Sequence, residues 1–106
     1  ASFQPHAAED DIEGLMIAVD SGVSQIGTLD IVAINRGERE GMSSGQVMAI
    51  YQTGEVVHDP VLRENIQMPD SRAGLLVVFR TFEKMSYGIV LKSSRPLAVM
   101  DRVGNP

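Results

Sequence analysis

The stretch INRGEREGMSSGQVMAIY, residues 34 to 51, carries Gly37, Gly41 and Gly45 at a spacing of four. Glycines grouped beside a strand are one ingredient of a phosphate loop, because backbone N–H groups can close around an anion only where no Cβ intervenes. The other ingredients are missing. No Lys follows the glycines, and Gly45 leads into QVMAIY, a β-rich run with no helix start. The stretch therefore reads as a structural turn. Asn35 and Gly37 are expected at positive φ where a strand ends, Gly41 at a second turn, and Gly45 where the chain re-enters the sheet, with Met42 as an apolar plug between them.

The remaining candidates for chemistry are equally incomplete. His6 and His58 are far apart in sequence and lack the neighbouring carboxylates that would complete a ligand set, so no metal site is expected. SGVSQ and MSSGQ supply serines without the Gly-x-Ser-x-Gly elbow of a hydrolase. The acids Glu9, Asp10 and Asp11 lie together in an aperiodic start, where nothing would separate their pKa values for acid and base roles. With no cysteine there is no thiolate ligand, thiol nucleophile or disulfide. These absences point away from an enzyme and from a cofactor.

At 106 residues the chain has the length of one domain. Aromatic residues make up 5% and Trp is absent, so the core must be built from Val, Ile, Leu, Met and Ala. Residues 1 to 35 hold six acids and no base, while residues 36 to 106 hold nine bases and eight acids. The bases are scattered singly, which argues against nucleic acid and against an anionic membrane surface. No run approaches the length of a transmembrane segment, and no basic head followed by an apolar stretch opens the chain. A first residue other than Met reads as a mature product or an excised fragment.

The elements that must position any site are strands. Residues 1–11 read as a linker or disordered tail, and residues 12–106 as a single small β-barrel. Apolar runs bounded by turn residues fall at LMIAV, TLDIVAIN, GQVMAIYQTG, AGLLVVFRTF, MSYGIVLKSS and, opened by Pro96, in RPLAVMDRVGNP. ENIQM, ending at Pro69, reads as an extra strand in an otherwise long loop, and at most a single helical turn fits within DSGVSQIG. The fold class is all-β, a small antiparallel barrel of six to seven short strands. The short link EKM makes the fourth and fifth major strands an antiparallel hairpin. On that hairpin Arg80 interrupts an apolar face beside Val78 and Phe82. It is either a rim residue whose guanidinium reaches water along its apolar stem or, with Phe82 and Tyr87, a partner anchor of the residue types favoured at interfaces. Arg72 either joins these residues or pairs with Asp70. An edge strand near the C-terminus is a second possible docking point, through strand addition.

Two segments, VAINRGEREGMSSGQVMAIY and RAGLLVVFRTFEKMSYGIVLKSSRPLAVMDRVGNP, resemble the C-terminal domain of bacterial envelope proteins that carry an N-terminal LysM module, the TsaP family associated with the type IV pilus secretin. The strand, glycine turn, strand pattern is similar also to the C-terminal domain of the flagellar protein FlgT. The resemblance covers about residues 13 to 106. It implies a non-catalytic periplasmic assembly domain in the cell envelope, with the outer-membrane secretin or another envelope protein as partner. Peptidoglycan would then be held by a LysM module that this chain lacks. A glycan- or small-ligand-binding domain and a flagellar-type ring scaffold are the alternatives. The first of these needs exposed stacking aromatics, which are few here.

Overall fold

The structure is a computed structural model that describes residues 6–7, 11–19 and 25–106. Its strands are β1 His6–Ala7, β2 Gly14–Val19, β3 Ile31–Ile34, β4 Gln46–Gln52, β5 Val56–Asp59, β6 Glu64–Gln67, β7 Ser71–Thr81, β8 Ser86–Ser93 and β9 Arg102–Gly104. Six of them close a barrel in the order β4, β7, β8, β3, β2, β9 and back to β4, with every neighbouring pair antiparallel. The expected all-β barrel is thus the observed fold. β5 and β6 form a separate two-stranded hairpin.

Alternation along each strand sends one set of side chains inward. Met16, Val32, Ile34, Met48, Ile50, Leu76, Val78, Val90 and Val103 fill the interior, and Ile12, Ile26, Met42 and Leu97 belong to the same buried cluster. The core is aliphatic and Met-based throughout, as the composition requires, and a small barrel leaves no lumen once such side chains interdigitate. Gly88 makes room for this packing, since a Cβ there would lie 2.9 Å from Leu76 Cδ1.

Several expectations are corrected. His6 and Ala7, within the stretch read as a tail, pair in parallel with Gln46 and Val47 of β4, while the helical turn allowed within DSGVSQIG falls largely outside the described residues. The last strand does not start at Pro96. Leu97 instead makes an isolated bridge with Ile26, and the chain then turns. The Asp101 carboxylate accepts from Ala98 N–H at 2.9 Å, and Met100 takes a φ of 81°, so only Arg102–Gly104 is left for β9. That short strand pairs with β2 on one side and β4 on the other. The expected free edge near the C-terminus is therefore absent, because barrel closure consumes it. The extra strand expected at ENIQM is present as β6. Its partner β5 has no signal in the sequence, because VVHD before Pro60 is too short to show a period.

Candidate docking site

The glycine stretch is a turn, and its geometry shows what the turn supports. Gly41 and Gly45 take φ of 92° and 93°, the left-handed region that only glycine enters without strain. Asn35 and Gly37 do not have positive φ, which corrects that part of the expectation. Asn35 acts through its side chain, whose Oδ1 accepts from Leu15 N–H at 2.8 Å and ties β3 to β2. Gly37 acts through its lack of a side chain. A Cβ there would collide with the Phe82 carbonyl oxygen and lie 2.6 Å from Met85 N and 2.7 Å from Glu83 O.

This contact exists because residues 37 to 42 dock on the β7–β8 turn. Glu38–Glu40 form a short 3-10 helix whose first N–H groups donate to that turn, from Glu38 N to Phe82 O at 2.8 Å and from Arg39 N to Glu83 O at 3.1 Å. The buried Ser86 hydroxyl donates to Arg36 O at 2.6 Å on the same seam. Below it, Gly45 N donates to Val78 O at 2.7 Å and Ser44 Oγ to Phe79 O at 3.3 Å. One end of the β7–β8 hairpin is thereby held from two sides.

Glu40 completes the turn. Its carboxylate accepts from Gly37 N–H at 2.9 Å and pairs with the Arg39 guanidinium. The Gly37 hydrogen bond, with a smaller contribution from Arg39, holds the Glu40 carboxyl below its ordinary pKa despite partial desolvation. A carboxyl whose pKa is lower folded than unfolded adds stability above its unfolded pKa and loses it as pH falls through the folded value. Glu40→Gln should therefore flatten the acid limb of a stability-against-pH curve and leave the neutral-to-alkaline limb parallel to wild type. Urea melts across that range check this, and an unchanged acid limb would remove the assigned role.

On the end so held, the structure brings together three of the four residues singled out in the sequence. Arg80 lies over the Phe82 ring with its guanidinium carbon 5.0 Å from the centroid, and Phe82 meets Tyr87 edge to face at 5.6 Å. Phe79, to which nothing in the sequence pattern points, stacks on Tyr87 at 6.4 Å. The three rings are 38%, 37% and 36% exposed for Phe79, Phe82 and Tyr87. A β-bulge between Val78 and Arg80 explains the grouping. Strict alternation would place Arg80 on the inner face with Val78, but the extra residue shifts the parity. Val78 stays buried while both Phe79 and Arg80 are exposed.

Arg72 does not join them. It sits at the opposite end of β7, paired in register with Tyr51, and lines a groove with Lys92 and Ser94. Asp70, its proposed partner, binds Arg102 instead at 3.0 Å. Arg102 also meets Glu13 at 3.2 Å and lies over the Tyr51 ring, and these contacts mark it as structural. Arg80, by contrast, pairs with no carboxylate among the described residues.

Beside the cluster runs an open groove of about 400 Å³ lined by Ile17, Val19, Ile31, Ala33, Met85 and Tyr87. From Ile31 the register continues through Ile89 and Val77 to Val47 across β3, β8, β7 and β4, with Val77 buried and the other three half-buried. Aromatic rings, a guanidinium with no carboxylate partner among the described residues and an apolar groove suit contact with another protein. Elsewhere, His58 Nδ1 lies 3.2 Å from Asn65 Oδ1 on the β5–β6 hairpin, and no group of three or more His, Asp or Glu converges among the described residues. No family model matches the chain. No curated protein matches it either.

Proposed function

We propose that this chain is a non-catalytic docking domain of the bacterial periplasm, the C-terminal barrel of a LysM-type envelope protein, whose β7–β8 end engages the outer-membrane secretin of type IV pili. The observation that carries the docking part is the Arg80, Phe82, Tyr87 and Phe79 cluster on a rigidly buttressed hairpin end. Binding energy at interfaces concentrates in aromatic and Arg anchors seated on surfaces that need not reorganise. The partner and the compartment rest on the resemblance of the glycine turn and the FRTFEKMSYGIVL hairpin to that family. A separate LysM module would hold the wall while this barrel holds the secretin. In a flagellar-type scaffold the same face would meet a ring protein.

The test is capture of the solubilised secretin, and separately of peptidoglycan sacculi, by the chain with and without Arg80→Glu. The reading expects secretin capture that the charge reversal weakens by about thirtyfold, the effect of losing one hot-spot residue worth about 2 kcal/mol. Retention on sacculi alone would sink the docking reading and favour the glycan-binding alternative.

A further inference from the structure

Barrel closure leaves few strand edges exposed, and the β5–β6 hairpin stands apart from it. It is a two-stranded sheet in which neither long edge is paired with another described strand. No residue of either strand is buried. It nevertheless carries Val56, Val57, Ile66 and Met68, with Val61 and Leu62 at its tip, all exposed. A hairpin alone is marginal in water, and unpaired edges of this kind are templates for another strand. We propose that the β6 edge pairs with the β6 edge of a second copy, joining two hairpins into one four-stranded sheet about a two-fold axis.

The register supports this occupant. Met68 N–H donates to Glu55 O at 2.8 Å, which makes residues 55 and 68 a hydrogen-bonded pair of the ladder. Such pairs alternate along an antiparallel ladder, so Val57 with Ile66 and Asp59 with Glu64 also bond within the hairpin. The backbone groups of Asn65 and Gln67 therefore point away from the β6 edge, and those of Val56 and His58 away from the β5 edge. With the axis at Ile66, Asn65 of each copy exchanges both bonds with Gln67 of the other, giving four hydrogen bonds. Ile66 meets the second copy's Ile66 in the closer, non-hydrogen-bonded type of pair. One face then presents a continuous row of Val57, Ile66 and the second copy's Ile66 and Val57. Glu64 falls opposite Met68, so no like charges meet.

Charge distinguishes the two edges. The equivalent register on β5 centres on Val57 and sets Glu55 opposite the second copy's Asp59 twice, a like-charge pairing that disfavours it. Pairing is thus directed to one edge, and a contact of one patch with itself closes as a dimer and does not propagate. This proposal is independent of the β7–β8 docking face.

Sedimentation equilibrium of the chain from micromolar to millimolar concentration tests it. The expected result is a concentration-dependent dimer whose dissociation constant rises at least about tenfold, 1.4 kcal/mol, in Ile66→Lys and in Ile66→Glu. An equimolar mixture of the two variants should recover the dimer, because position 66 meets itself. Both variants should melt close to wild type, since the hairpin contributes nothing to the barrel core. Ile66→Cys, in a chain without other cysteines, should oxidise to a covalent dimer. A wild-type monomer throughout, a dimer indifferent to both charges, or two variants whose mixture stays monomeric would each overturn it. So would a monomer whose secretin capture is lost in Ile66→Lys, which would give the edge to that partner.

Discussion

Gly37→Ala should lower stability by about 3 kcal/mol, the range reached when a substitution forces strain into a packed site. At this chain length that corresponds to a fall in melting temperature of roughly 12 to 20 °C. The added methyl would meet three backbone atoms of the β7–β8 turn within 2.7 Å, and backbone, unlike the end of a long side chain, cannot swing aside. Relief requires the 3-10 segment and the hairpin end to separate. That separation would break the bonds from Glu38 and Arg39 to Phe82 and Glu83, and would strain those Gly37 O accepts from Glu40 N at 3.0 Å and Met42 N at 3.1 Å. Gly27→Ala is the matched control. A Cβ there meets nothing within 4 Å, so its effect should stay within about 0.5 kcal/mol. Thermal melts by far-ultraviolet circular dichroism compare the two. Equal, small losses would mean that the glycine turn and the hairpin end are not rigidly joined.

The same variant also tests the proposed docking role. Phe82 and Arg80 are placed by the seam that Gly37 permits, so under that proposal loosening it should cost affinity for the partner in the fraction that remains folded. Near-ultraviolet signals from Tyr87 and the flanking phenylalanines would weaken first, because their ring geometry depends on the same turn.

Much of this architecture is written in local pattern. AGLLVVFRTF and MSYGIVLK separated by EKM leave little choice but a hairpin, and an aromatic-poor, aliphatic chain can only build the core found here. The choice of a turn over a phosphate loop follows from one missing Lys and one missing helix. What the pattern does not show is set by contacts between distant segments. Gly37 is required by the Phe82 carbonyl 45 positions away, and nothing near Gly37 distinguishes that need from the positive φ of Gly41 and Gly45. The bulge at Phe79 has no sequence marker, so strict alternation put Arg80 on the wrong face and concealed Phe79 as a member of the cluster. Arg72 and Asp70 are adjacent enough in sequence to look like partners. The fold gives Asp70 to Arg102 because β9 crosses there to close the barrel.

Leu76→Ala should cost about 2 to 5 kcal/mol, the range for removing a fully buried leucine side chain. The more decisive result comes from combining it with Gly88→Ala. Leu76 Cδ1 occupies the space left open by the missing side chain of Gly88, which lies diagonal to it across the β7–β8 ladder, opposite Val78. Gly88→Ala alone overpacks that space and should cost about 1 to 3 kcal/mol. In the double variant the clash disappears, and the new methyl fills part of the cavity left by the shortened residue 76. The combined loss should therefore fall short of the sum of the single losses by about 1 kcal/mol or more, the coupling expected of side chains in direct contact. Urea denaturation of the four proteins closes the cycle. Simple additivity would mean that the large and small residues do not fit each other across the barrel, and that Gly88 is kept for the approach of Val77 O, 3.3 Å from the same Cβ position.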